Sequence, residues 1–252
     1  GIAVLMEQGQ DMAYYGARVA HRYIASVLGL FILGIFILAL RQGSARATTL
    51  FVPLTIFALT VFLSLLGYYT PTRSNPLITM GNLLGGMSLL ALLWWLMQRE
   101  SGAIAVPAKS SGFRPLAVFA LCLVLLQIVL GGWSSANYAS ANCPGLVRCE
   151  GDILAVSHMV DVFNPRRGIA LDAGGKVVRT DALGLLSMAH RSLAIVTAAY
   201  LAWLVRRLKP QAALAGSLLA LPLFSISQIA VGVTSIWLDM PLLLVTLHNA
   251  LA

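Results

Sequence analysis

The chain has 252 residues, of which 59% are hydrophobic and only 10% carry a charge. A water-soluble protein of this length could not bury so large an apolar fraction in its core, so the composition excludes a soluble globular domain and indicates an integral membrane protein. The net charge of +8 does not predict nucleic-acid binding, because the basic residues gather in short loops between apolar segments, as they do in membrane proteins.

Six apolar segments are long enough to cross a bilayer as helices, which takes roughly 20 residues for a hydrocarbon core about 30 Å thick. They cover about 19–40, 48–69, 77–97, 114–133, 182–205 and 211–236, and a seventh begins near Met240. No signal-peptide pattern precedes the first segment, so we expect the sequence to be trimmed at both ends, with a further helix upstream. Glu7 and Asp11, ahead of the first segment, are predicted to lie in a loop.

The loops alternate between basic and nearly uncharged. The connections RQGSARA, QRESGAIAVPAKSSGFR and RRLKP are rich in Lys and Arg, whereas YTPTRSNP and LDMP hold only Arg73 and Asp239 as charged residues. The positive-inside rule therefore predicts that the first set is cytoplasmic. The start of the first segment and the long loop 134–180 then face the outside of a bacterial cytoplasmic membrane.

The outer loop contains two cysteines, Cys143 and Cys149, six positions apart in CPGLVRC. An oxidising compartment favours a disulfide between them, and free thiols or a metal site are the alternatives. Cys122 lies inside an apolar segment and is predicted to be a small core residue.

The sequence contains an internal repeat. VAHRYIASVLGLFILGIF at 19–36 aligns with MAHRSLAIVTAAYLAWLV at 188–205, with an offset of 169 residues (190 − 21). The helix pair that follows each copy also aligns within a small gap, which places Asn82 opposite His248. An even number of helices in each copy predicts two tandem four-helix bundles, related by a pseudo-twofold axis along the membrane normal.

The fold class predicted is thus an all-α integral membrane protein with eight helices in the full protein and about seven present here. The N-terminal half, 1–110, lacks its first helix, and the C-terminal half, 111–252, ends in a truncated one. The outer loop 134–181 belongs to the C-terminal half.

Three of the four histidines, His21, His190 and His248, lie near the starts of predicted spanning helices on one side of the membrane. A single histidine in a membrane helix is more often a packing residue, but three that are related by a repeat favour a function. His190 and His248 open two helices of one bundle, without a Cys, Asp or Glu at helical spacing beside them. Two imidazoles without further protein ligands point to a bis-histidine heme rather than to zinc or a di-iron site.

Other charged or titratable residues lie near these helices. Arg22 and Arg191 follow histidines and are suited either to pairing with heme propionates or to anchoring at the membrane interface. His158 lies in GDILAVSHMVDVFN, whose apolar spacing predicts a short helix on the outer membrane surface. It is predicted to be a solvated residue rather than a ligand.

The stretches HRYIASVLGL, LGGWSSANYASANCPGLVRC, MAHRSLAIV and TLHNALA, in this order, resemble the heme A synthase family over nearly the whole chain. The resemblance implies two four-helix halves that oxidise the C8 methyl group of heme O to the formyl group of heme A, the cofactor of terminal oxidases. It implies heme b held by His190 and His248, and heme O as substrate on the N-terminal side, with His21 as a catalytic and iron-binding residue.

The same resemblance implies oxygen-linked chemistry, an external electron donor and a place in cytochrome oxidase assembly. The expected partners are heme O and heme A, membrane lipid, a heme O synthase, and a terminal oxidase or another respiratory complex.

Two positions depart from the family pattern. Asn82 stands where a second substrate-side histidine is expected, and Arg18 stands where a glutamate is expected three residues before the His-Arg pair. Asparagine is a poor iron ligand, and Arg18 inverts the charge where a proton acceptor is wanted. The alternative function is therefore a non-catalytic heme-b-binding paralogue, acting as an accessory subunit or assembly factor of a respiratory complex. A bis-histidine electron-transfer protein is a third hypothesis, and a transporter is disfavoured because no acidic residue lies inside a span.

Overall fold

The computed structural model describes residues 2–41, 47–68, 75–101, 112–143, 145–147, 149, 156–164, 168–170, 178, 180–208 and 215–252. Over these residues the chain is helical, with one 3₁₀ helix at Ala139–Asn142 and the α-helices α1 (Ile2–Arg41), α2 (Ala47–Tyr68), α3 (Pro76–Glu100), α4 (Arg114–Ala136), α5 (Val156–Val162), α6 (Asp181–Leu208), α7 (Ala215–Trp237) and α8 (Leu242–Leu251). Six of the described helices are long and apolar enough to cross a membrane. The prediction of an all-α, multi-pass membrane protein is confirmed.

Five of the long helices begin and end within about four residues of the predicted spans, but α1 does not. It begins at Ile2, so the prediction that Glu7 and Asp11 lie in a loop is wrong. The reason is local: the segment before the apolar run contains no proline and is rich in Met, Glu, Gln and Ala, which favour a helix. His21 consequently lies about five turns into α1, although the membrane-spanning part of that helix begins only at Tyr15.

The first compact unit comprises Gly1–Tyr69 and Gly85–Ala105. Its buried centre is an apolar cluster drawn from α1, α2 and α3, formed by Ile32, Val52, Ile56 and Leu89. His21 is exposed and lies about 17 Å along α1 from Ile32, at 1.5 Å per residue. The packed part of this unit is therefore remote from its histidine.

The second compact unit comprises Thr70–Leu84 and Val106–Ala252. Two apolar clusters hold α4 against α6 in this unit. The Trp133 cluster contains Met80, Trp133, Ala139, Val162, Ala182, Leu183 and Leu186, and the Leu204 cluster contains Ala120, Leu201, Leu204 and Leu208. His190 of α6 and Gln127 of α4 lie in the stretches between these two clusters, so a polar pair is held between two apolar contacts.

A hydrogen bond from Trp133 joins α4 to the short helix α5. The indole Nε1 of Trp133 donates to the carbonyl oxygen of Val162 at 2.7 Å. The structure has a short helix at Val156–Val162, as predicted for the segment around His158. The side chain of His158 lies outside the described residues.

A tight turn folds α8 back onto α7. Asp239 and Met240 adopt left-handed backbone conformations, with φ of 55° and 59°, and the amide of Met240 donates to the carbonyl oxygen of Ser235 at 2.7 Å. Pro241 then precedes α8, as expected for a residue with a fixed φ and no N–H to satisfy. The turn brings His248 beside Gly232, 16 residues earlier in the chain.

The prediction that Cys122 is a core residue is wrong, because its side chain is exposed on the surface of α4. In a spanning helix the lipid-facing residues are as apolar as the buried ones, so an apolar run does not reveal which residues face the interior.

Candidate functional site

His190 of α6 and His248 of α8 face each other in the second unit. Their ring centroids are 6.5 Å apart and the ring planes are nearly perpendicular, at 86°. Two metal-to-imidazole bonds of about 2 Å each, together with the two ring radii, come to about 6 Å. The separation of the imidazoles therefore fits one iron atom bound between them.

The chemistry of the surrounding residues agrees with a heme rather than with a bare metal ion. Among the residues that the structure describes, no group of three or more His, Cys, Asp or Glu side chains could hold a metal. A structural zinc site needs four ligands, whereas a porphyrin supplies four nitrogens and needs only two from the protein. The Nδ1 atom of His248 is buried without a hydrogen-bond partner in the described chain.

Each imidazole lies against a glycine of the neighbouring helix. A Cβ atom added to Gly131 of α4 would lie 2.5 Å from Cε1 of His190, and one added to Gly232 of α7 would lie 2.9 Å from Cε1 of His248. Real Cβ atoms do not approach other atoms so closely. The two glycines are therefore required by the space that the rings occupy.

Arg191, the residue after His190, holds the cysteine loop onto α6. Its Nη1 donates to the carbonyl oxygens of Gly145 at 2.6 Å and Leu146 at 3.1 Å, and its Nη2 donates to that of Cys143 at 3.2 Å. The structure joins Cys143 to Cys149 by a disulfide. Both sulfur atoms lie within 4 Å of the carbonyl oxygen of Gly184, which is two helical turns before Arg191 on the same face of α6.

Comparison with known proteins identifies the family. Residues 9–252 match the COX15-CtaA family, described as cytochrome oxidase assembly protein. The chain is also 35% identical over 235 residues to a heme A synthase of Shewanella oneidensis, an alignment that covers 92% of this chain and 70% of the relative. The chain belongs to the COX15-CtaA family. The resemblance on which the sequence-based predictions depended is thereby confirmed.

The other predicted site residues of this COX15-CtaA member are placed separately. His21 and Arg22 are exposed on α1, and Arg18 is half-buried one turn earlier. Asn82 is exposed on α3 and belongs to the second compact unit, whereas His21 belongs to the first. His190 and His248 are thus the predicted ligands that the structure brings together.

Sequence reasoning missed two glutamines, Gln127 and Gln228. Each precedes one of the histidine-contacting glycines by four residues, in QIVLG and QIAVG, and each is half-buried inside an apolar helix. The Nε2 atom of Gln127 lies 3.0 Å from Nδ1 of His190, and Nε2 of Gln228 donates to the backbone carbonyl of His248 at 2.9 Å. The available signal was the repeated Gln-Ile-Xaa-Xaa-Gly pattern, since polar side chains inside membrane spans are costly and mark functional positions.

Gly131→Ala and Gly232→Ala are expected to weaken heme binding in this COX15-CtaA member about tenfold or more. The added methyl group must displace an imidazole ring, and overpacking of this kind costs about 1–3 kcal/mol. The measurement is the heme-to-protein ratio after purification and washing. Gly86→Ala on α3 is the matched control, because a Cβ there meets nothing within 4 Å; equal loss in all three variants would contradict the argument.

Proposed function

We propose that this protein is a heme A synthase of the bacterial cytoplasmic membrane, which oxidises the C8 methyl group of heme O to the formyl group of heme A. The proposal rests on the pair of facing imidazoles, His190 and His248, in a chain 35% identical to a heme A synthase. Oxygen is the oxidant in this proposal, and a heme b between these rings would be suited to exchange single electrons with the external donor.

In this proposal the residues around the imidazole pair bind the iron, make room for the rings or exclude water. His190 and His248 bind the iron, and Gly131 and Gly232 leave room for their rings. The Trp133 and Leu204 clusters keep water out of the contact between α4 and α6 on either side of His190. Without water the local dielectric constant is low, which strengthens the electrostatic interactions of the proposed heme.

Arg191 has donors left for a heme propionate. A guanidinium carries five N–H groups, and Nη1 and Nη2 direct three hydrogen bonds to carbonyl oxygens of the loop. Arg22 is its counterpart in the repeat and is exposed on α1. We assign both arginines to propionate binding, one in each half.

The substrate side of the proposal depends on His21. It is the repeat counterpart of His190 and lies on the membrane-spanning part of α1. In this proposal the N-terminal half, 1–110, accepts heme O, and His21 binds its iron. Both histidine sites and the Cys143–Cys149 loop lie toward the periplasmic face, because the loops rich in Lys and Arg mark the opposite side as cytoplasmic.

Co-expression with a heme O synthase, in a host that lacks heme A, is expected to produce heme A in extracted membranes. His21→Ala is expected to abolish heme A while leaving the b-type spectrum, because the proposed heme b ligands, His190 and His248, belong to the other compact unit. His158→Ala, the remaining histidine, is the control and should leave heme A unchanged. Chromatography of extracted hemes measures both outcomes, and a wild-type protein that yields heme O alone would contradict the enzymatic function.

A second candidate function is a non-catalytic heme-b-binding paralogue that serves a respiratory complex. It is favoured by Asn82 and Arg18, and by a further difference between the repeats. At the offset of 169 residues Gly232 aligns with Leu63, whose side chain lies directly against Gly85 of α3. In the N-terminal helix pair a leucine side chain therefore lies between the helices at the position where, in the C-terminal pair, Gly232 leaves room for the imidazole of His248.

Restoring the family pattern separates the two functions. If the wild-type protein binds heme b but yields no heme A, and the double variant Arg18→Glu with Asn82→His does yield it, the paralogue function is supported. If the wild-type protein already forms heme A, the paralogue function is excluded.

A further inference from the structure

The two site glutamines make different contacts although they occupy matching positions. The amide Nε2 of Gln127 is within hydrogen-bond distance of both ring Nδ1 (3.0 Å) and the backbone oxygen (3.2 Å) of His190. Gln228 contacts only the backbone oxygen of His248, at 2.9 Å, and the Nδ1 atom of His248 has no partner in the described chain. The side-chain amide of Gln127 therefore reaches a histidine ring. The side-chain amide of Gln228, whose Oε1 is likewise buried without a partner in the described chain, reaches only the backbone of the other histidine.

The amide of Gln127 has an unused acceptor beside that ring. Its Oε1 atom is buried and makes no hydrogen bond within the described residues, which is costly for a carbonyl oxygen in an apolar surrounding. An imidazole that binds a metal through Nε2 carries its proton on Nδ1 and becomes a donor there. Rotating the amide of Gln127 would present Oε1 to this N–H, in exchange for the hydrogen bond that Nε2 donates to the backbone oxygen of His190.

We infer that Gln127 is a positioning residue, which fixes the tautomer and ring orientation of His190 so that Nε2 faces the iron. Gln127 thereby also strengthens the bond between Nε2 and the iron. The inference rests on the proposed heme between His190 and His248. A hydrogen bond accepted from Nδ1–H increases the basicity of the liganding nitrogen and stabilises the ferric state relative to the ferrous state. The side chain of Gln228 instead supports the backbone of α8, at the carbonyl oxygen of His248.

The pair Gln127→Leu and Gln228→Leu tests this difference in the purified holoprotein. Gln127→Leu should shift the heme midpoint potential to a more positive value, and Gln127→Glu, which keeps the length and supplies a stronger acceptor, should shift it to a more negative one. Gln228→Leu should leave the potential unchanged, even where it lowers heme retention. Outer-sphere changes of this kind typically reduce affinity for the metal group by about 10–100-fold, so heme content is recorded for every variant.

Spectroscopy supplies a second measurement that a merely structural role would not alter. The angle between the two axial imidazole planes determines the spread of the g-values of a low-spin ferric heme, and here the planes stand at 86°. Gln127→Leu should change the electron paramagnetic resonance spectrum by releasing the His190 ring, whereas Gln228→Leu should not.

The outcomes separate this inference from the proposed function. Equal shifts of potential in Gln127→Leu and Gln228→Leu, or no shift in either, would overturn the role of Gln127 while leaving the heme site intact. A wild-type protein without a bis-histidine b-type heme would overturn both. If Gln127→Leu fails to retain heme, the direction of the shift in Gln127→Glu decides the question.

Discussion

His190→Ala and His248→Ala are each expected to abolish stable binding of the proposed heme b. In the proposed site each substitution would remove one of the two histidine ligands of the iron and leave a cavity in place of the ring. The heme content of purified protein and its reduced-minus-oxidised spectrum measure the loss. His158→Ala is the matched control and should retain full heme content.

His248→Met distinguishes ligation from packing. Methionine fills most of the space of the imidazole and can bind iron, and a His/Met pair raises the reduction potential relative to a bis-histidine pair. Heme should therefore be retained at a more positive potential. Full heme content and an unchanged spectrum in His190→Ala or His248→Ala would show that the two rings are not the ligands.

The membrane spans and the histidine pair could be predicted because each rests on a signal that the sequence carries directly. A run of roughly 20 apolar residues has few alternatives to a spanning helix. The repeated Ala-His-Arg stretch related His21 to His190, and the same offset relates Pro53 within α2 to Pro222 within α7. The proline inside each of these two helices therefore agrees with the repeat.

The features that escaped prediction depend on contacts between helices. The early start of α1 followed from helix propensity in a stretch of mixed polarity, which the search for long apolar runs does not report. The exposure of Cys122 and the pairing of Gln127 with His190 depend on the rotation of α4 about its axis. That rotation is fixed by which face meets α6, and an almost uniformly apolar helix does not reveal this face in its sequence.

Arg191→Leu is expected to loosen the cysteine loop and to destabilise the second unit. Three carbonyl oxygens, of Cys143, Gly145 and Leu146, lose a charged donor. Hydrogen bonds to charged groups contribute about 1.5–3 kcal/mol each when buried, and allowing for the partial exposure of this site we expect a loss of about 2–3 kcal/mol in total. The denaturation temperature in detergent should fall by about 5–10 °C.

The state of the disulfide gives a more specific test of the same contacts. Without Arg191 the loop that Cys143 and Cys149 close is held on α6 by fewer contacts, so a reductant should open the disulfide faster. Thiol labelling measures the rate, in a Cys122→Ser background because Cys122 is exposed and would itself react. Arg22→Leu, the same change in the other copy of the repeat, removes a charge from an exposed position on α1 and should leave the reduction rate unaltered. Equal acceleration in the two variants would mean that general destabilisation, rather than the loss of the Arg191 contacts, exposes the disulfide. Acceleration confined to Arg191→Leu would tie the outer loop to the residue that follows the proposed iron ligand His190.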